Sequence, residues 1–269
     1  MTESVQPADV AAFETFAAAA VDEMLAHQPT LATSLGDHRF DDRLDDVRPA
    51  AVDAESRALA ARLAELERWP IDALPVGHRV DAEVLRVRLR SRLFELGELG
   101  EHGWNPLVAN PGTALYLLLA REFAPLPQRL GSVAARLTQV PEQLEAARGA
   151  LAAMPKVHIE TAIDQFTGTL GLLDGEIPQR LRDAPEMASI VEPVLAFARD
   201  AVVTHLDWLH DQLDSACGDP RLGRDLFARK LALVLDVERS PEMVLQAALD
   251  DIEAAEAELA SVAASLGGT

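Results

Sequence analysis

Histidine serves both metals and proton transfer, and the chain has seven of them. A zinc-binding helix needs two histidines four residues apart with a glutamate between them. His158-Ile159-Glu160 begins such a pattern, but the position where the second histidine belongs is Ala162. His205 and His210 stand about 140° apart around a helix, so they cannot face one ion. There is no Gly-x-Ser-x-Gly elbow, and the glycines at 100 and 103 have neither a preceding strand nor the Lys-Ser/Thr pair of a phosphate loop. With 44 acidic residues, carboxylate pairs could be nominated anywhere and so identify nothing. Cys217, the only cysteine, excludes an intramolecular disulfide. It sits in a Cys217-Gly218-Asp219-Pro220 turn and reads as a structural thiol. The sequence therefore assigns no catalytic residue and no metal ligand.

Two weaker constellations remain. Asp37, His38 and Arg39, beside Gly36, place a carboxylate, an imidazole and a guanidinium together, a set able to recognise a carboxylate or a chain terminus. The plainer reading is that Arg39 and Arg43 pair with Asp41, Asp42, Asp45 and Asp46 to fix a loop. His158, Thr161, Gln165 and Thr169 form a polar, uncharged flank of one helix. Such a flank suits a channel wall that meets a peptide ligand's backbone, and equally suits hydrogen bonding to a neighbouring helix.

The elements that position these residues read as helices throughout. Hydrophobic residues make up 49% and aromatics 4%, and Ala and Leu dominate, which favours helix packed on helix. The expected fold is all-α, an elongated multi-helix array, with a tail over 1–7 and one helical domain over 8–269. The pattern predicts helices from about Ala8 to His27, Pro29 to Leu35, Pro49 to before Trp69-Pro70, Gly77 to Leu99 and Leu115 to Phe123. Gly36 stands where a helix-ending residue belongs. Two shorter helices are expected to meet at Val140-Pro141. From Ile159 the series Ile163, Phe166, Leu170, Leu173 and Ile177 alternates steps of four and three, which defines one narrow apolar stripe. Further helices are expected over Pro185 to Ala216, with a kink at Pro193, and over Leu222 to Leu235. In the last, Ser240-Pro241-Glu242 provides N-cap, N1 and N2 of a helix reaching Leu266.

The net charge of −20 opposes a nucleic-acid partner. The one basic run, Arg86, Arg88, Arg90 and Arg92, fans around its helix instead of forming a stripe. No apolar stretch approaches the ~20 residues of a membrane span, and the N-terminus has no signal-peptide pattern, so no membrane partner and a cytoplasmic location are expected. In the 240–266 helix, Val244, Leu245, Ala248, Leu249, Ile252, Ala255, Leu259, Val262 and Leu266 form an apolar face that needs a neighbour. A homodimer or another chain is the expected partner.

Four stretches carry a family resemblance in their order along the chain. They are Thr33-Ser34-Leu35-Gly36-Asp37-His38-Arg39-Phe40-Asp41-Asp42-Arg43-Leu44, Leu117-Leu118-Leu119-Ala120-Arg121-Glu122-Phe123-Ala124-Pro125-Leu126, Val157-His158-Ile159-Glu160-Thr161-Ala162-Ile163 and Leu226-Phe227-Ala228-Arg229-Lys230-Leu231. Together they resemble the N-terminal half of the bacterial family called domain of unknown function 885. That resemblance implies gluzincin-like zinc peptidases about twice this length, with the His-Glu-x-x-His helix, and hence the zinc, in a C-terminal half absent here. It implies no cofactor in this chain and a truncated, catalytically inert cleft wall. The alternatives are a peptide- or protein-binding scaffold that has shed its catalytic half, or one half of a two-chain metallopeptidase.

Overall fold

The computed structural model describes residues 7–236 and 239–267. The tail expected at 1–7 falls outside them except for Pro7, which already belongs to the first helix. The chain divides into two compact units, Met1–Pro220 and Arg221–Thr269. Among the described residues there is no strand, and the all-α expectation holds. No described helix is long and apolar enough to cross a membrane.

The first unit holds α1 (Pro7–His27), α2 (Pro29–Leu35), α3 (Pro49–Leu66), α4 (Val76–Phe94), α5 (Gly112–Ala120), α6 (Leu126–Ala150), α7 (Lys156–Gly171), α8 (Ile177–Asp183) and α9 (Ala188–Gln212). Proline sits at the first or second position of α2, α3, α6 and α8, where its missing N–H costs nothing and its fixed φ suits the helix. Two apolar cores form. One gathers Phe13 and Phe16 of α1 with Leu59 and Leu66 of α3 and Leu85 and Leu89 of α4. There Arg92 of α4 reaches the buried Glu55 of α3 through two hydrogen bonds of 2.7 and 3.0 Å. The other gathers α5, α6, α7 and α9. The arginine run does fan out: Arg86 pairs with Glu83, Arg90 with Glu67 and Arg92 with Glu55.

Two sequence expectations need correction. The helix expected from Leu115 to Phe123 runs instead from Gly112 to Ala120, and Arg121 is extended (φ −106°, ψ 134°). Its start is set by Asn110, whose Oδ1 accepts the Gly112 N–H at 2.8 Å. Its end is set from α6, where Arg129 donates to the Leu118 and Leu119 carbonyls, both at 3.0 Å, and to Ala124 at 2.9 Å. Those carbonyls are satisfied without another helical turn. The second correction is α6, a single helix through Pro141 where two were expected. An interior proline costs about 3 kcal/mol. Burial of Leu130, Val133, Leu137, Val140 and Leu144 on one face, at roughly 1.5–3 kcal/mol each, outweighs it.

The apolar stripe behaves as its period requires. Ile159 and Phe166 of α7 are buried, the helix widens into a π turn over Leu172–Glu176, and Leu173 and Ile177 stay in the same core. The second unit holds α10 (Arg224–Leu235) and α11 (Pro241–Leu266). Ser240 caps α11 as its sequence position indicates, its hydroxyl accepting the Met243 N–H at 3.2 Å. No described residue of either helix is buried.

Candidate functional site

Gly36 closes α2 in the left-handed conformation (φ 88°, ψ 13°), which glycine adopts without strain. The chain then enters a short 3-10 turn, His38–Phe40. Asp37 caps that turn by accepting the Arg39 N–H at 3.1 Å. It also receives the Arg39 guanidinium at 2.9, 3.1 and 2.6 Å. The side-chain hydrogen bonds from Arg39 hold the Asp37 carboxyl down to about 2. Arg39 reaches on to Asp22 of α1 at 2.7 Å. The His38 ring lies flat on Phe123, centroids 3.6 Å apart, with its Nδ1 2.9 Å from Asp41. Asp41 in turn accepts the Thr33 hydroxyl at 2.7 Å.

Beneath this turn lies Arg136 of α6, fully buried, donating to the Thr33 hydroxyl at 2.6 Å and to the Ala114 carbonyl. Burial lowers its proton affinity, against the opposing pull of Asp41 4.0 Å away. Asp37, His38 and Arg39 are thus spent on partners inside the protein. The pairing differs from the one expected: Arg39 takes Asp37 and Asp22, Asp45 accepts the Thr30 N–H, and Asp46 holds Arg48. Arg43 stands over the Phe40 ring at 4.6 Å and 4.0 Å from Asp42. The arrangement locks a loop and leaves little to offer a ligand.

The second constellation divides along α7. His158 is half-buried, edge-on to Trp104 at 5.2 Å, and its Nδ1 has no hydrogen-bond partner. Thr161 is exposed and donates to the Val157 carbonyl at 2.7 Å. Gln165 and Thr169 lie one and two turns further on, at a groove of about 600 Å³ between α5 and α7. Its α5 side is Asn110, Gly112, Thr113 and Tyr116, and its α7 side is Gln165, Gly168, Thr169 and Gly171. The Thr169 hydroxyl donates to Asn110 Oδ1 at 2.7 Å, the same oxygen that accepts the Gly112 N–H. A side chain at Gly112 would meet the Thr169 hydroxyl at 2.4 Å, so this glycine permits the close approach. No Lys, Arg or His lines the groove. Its one carboxylate, Glu176, is held by Arg180 at 3.3 Å. Tyr116 stands at its side, 52% exposed.

Sequence reasoning missed Asn110 and Gly112, which precede the helix expected from Leu115, and Tyr116, which lies inside that helix. A readable signal existed in Gly168 and Gly171, three apart beside Thr169, since glycines on one helix face bare the backbone. The structure also shows a second cavity of about 500 Å³, near Arg43, Asp46, Arg48 and Glu142. Its arginine Arg48 is already engaged by Asp46 and Glu142. His205 of α9 was set aside on spacing, and the structure buries it completely. It lies between Phe166 and Trp208, at 4.6 and 5.2 Å, and neither ring nitrogen has a partner among protein groups. Burial pushes it down to about 4, and the charge of Arg148 adds to the effect. Among the described residues, no group of three or more His, Cys, Asp or Glu side chains is placed to hold a metal.

Residues 29–269 match the family described as bacterial protein of unknown function (DUF885), and the chain belongs to that family. Among solved structures it is similar to a chain from Shewanella oneidensis described as a lipoprotein of unknown function. The TM-score is 0.82 and the identity 23%, over 93% of this chain and 47% of that one. The likeness is one of fold, and this chain spans about half the length of that structure. No curated protein sequence matches it.

Proposed function

We propose that the groove between α5 and α7 binds a peptide main chain, and that the chain is the helical cleft-wall portion of a protein resembling zinc metallopeptidases, inert as a hydrolase by itself. The observation that carries this reading is the composition of the groove: glycines expose backbone on one wall, and neutral hydrogen-bonding side chains face them. The Gln165 amide and the Thr113 and Tyr116 hydroxyls are not spent on other protein groups among the described residues. Such a lining matches the uncharged, alternating donors and acceptors of a main chain and gives no purchase to phosphate or free carboxylate. The family membership and the half-length match to a longer chain support the cleft-wall part of the reading.

Gly168 supplies the test, because a Cβ there meets nothing within 4 Å. Gly168→Leu projects a side chain into the groove from a position with open space around its Cβ, and favours the helix by up to about 1 kcal/mol. Calorimetric titration with an N-acetylated, C-amidated hexapeptide is expected to show a Kd on the order of 10⁻⁴ M for the wild type and no heat for the variant. Equal binding by both, or none by the wild type, would refute the groove. Turnover of the same peptide with added zinc, lost on mutation of His158, would refute the inert reading.

A further inference from the structure

We propose that the groove between α5 and α7 selects peptides that carry a lysine or arginine side chain, which it seats on Glu176. This selection rests on the reading of the groove as a site for a peptide main chain. Asn110, Thr113, Tyr116, Gln165 and Thr169 are neutral, and Glu176 is the one charged residue in the lining. Main-chain recognition needs no charge, so a carboxylate on an otherwise neutral wall discriminates between side chains. Glu176 has capacity for a second partner. Its Oε1 accepts from Arg180 Nη2 at 3.3 Å, a single long contact between side chains that are 33% and 36% exposed. Among the described residues no group donates to its Oε2. Arg180 lies in α8, one turn further on, and does not line the groove. A carboxylate engaged through one oxygen can still accept the N–H groups of another cation.

The surroundings suit a long side chain with a charged tip. Leu172, in the same π turn as Glu176, and Leu107, from the 3-10 turn Pro106–Ala109, are half-buried and belong to the same lining. They offer the methylene stem of lysine or arginine an apolar bed while its head meets the carboxylate. Asp164 adds a second negative charge. At about 100° per residue it shares the face of α7 that Gly168 and Gly171 leave bare, and among the described residues no group pairs with it. The net charge of −20 acts in the same direction at longer range, drawing cationic peptides to the protein and repelling acidic ones.

Calorimetric titration of the 1–269 chain with end-blocked hexapeptides decides the matter. The peptides are alanine and serine throughout, with lysine, norleucine or glutamate at one central position, so that a uniform main chain can slide until the variable residue finds its place. The lysine peptide should bind about fivefold tighter than the norleucine peptide at low salt, as a part-exposed ion pair does, and the glutamate peptide should bind most weakly. Added salt should narrow the difference. In Glu176→Gln the ratio of lysine to norleucine affinity should fall to about one, with a thermal unfolding curve showing that the variant is folded. Asp164→Asn, which removes the same charge elsewhere on the face, should lower the ratio less. Equal binding of the lysine and norleucine peptides by the wild type overturns the selection and leaves the main-chain reading standing. A lysine preference that survives Glu176→Gln, or that falls more in Asp164→Asn, overturns the seat on Glu176. Failure of all three peptides to bind overturns both readings.

Discussion

His205 gives the first unit an acid-sensitive core. The folded protein holds this imidazole neutral, with its proton affinity pushed down to about 4 from the ordinary 6.5, first by burial and then by the charge of Arg148. Unfolding frees the ring to take a proton, so below pH 6.5 the unfolded chain binds more protons than the folded one. The stability contribution is whole above 6.5 and is lost as pH falls towards 4. At 1.36 kcal/mol for each tenfold change in proton affinity, the full loss is about 3 kcal/mol, of which about 2 kcal/mol falls between pH 7 and 4.5. Carboxylates titrate in the lower part of this range, so the measurement is a difference against His205→Leu, which cannot titrate. Tryptophan fluorescence reads the right part of the molecule, because Trp69, Trp104 and Trp208 all lie in the first unit. Urea unfolding at the two pH values should show the wild type losing about 2 kcal/mol more than the variant. At pH 7 the variant should match or exceed the wild type, since it replaces an imidazole with no hydrogen-bond partner by a hydrocarbon. Parallel losses in the two proteins, or an imidazole resonance titrating near 6.5 in the folded state, would refute the reasoning.

Further outcomes follow from the packing. Phe166→Ala empties a fully buried ring site between α7 and α9 and should cost about 3–5 kcal/mol by urea unfolding; a loss below ~1 kcal/mol would mean that the ring is not in the core. Gly112→Ala drives a methyl group against the Thr169 hydroxyl and should cost about 1–3 kcal/mol, with Thr169→Ala in the same chain recovering part of it. Metal analysis after dialysis should find no stoichiometric zinc in the isolated chain, and one tightly held zinc would refute this expectation.

The sequence was most legible where period and punctuation agreed. The stripe from Ile159 to Ile177, the Gly36 stop and the Ser240 cap each follow from local rules, and the structure places all three as those rules require. What escaped was settled by distant partners. Nothing near Ala120 announces that α5 ends there, because the carbonyl acceptors are capped by Arg129 from the next helix. Pro141 reads as a break in isolation, and only the buried row from Leu130 to Leu144 explains its tolerance. The candidate site shows the same split. Gln165 and Thr169 were recognisable as a neutral flank, whereas Asn110 and Gly112 become its opposite wall only once α5 and α7 touch. At Asp37, His38 and Arg39 the residue types suggested recognition, and the sequence could not show that Phe123, Asp22 and Asp41 had already claimed them.

Arg136 has a consequence for how the first unit assembles. Its two terminal nitrogens donate to Thr33, 103 positions earlier, and to the Ala114 carbonyl, 22 positions earlier, while its buried Nε has no partner among protein groups. Removing the Thr33 hydroxyl would leave a fully buried guanidinium short of an acceptor, at a cost of about 1–3 kcal/mol or more because the group is charged. The bond ties the α2 turn to α6 and makes two stretches far apart in sequence parts of one unit of stability. A chain that loses the Thr33 segment should therefore fail as a whole unit instead of fraying at one end.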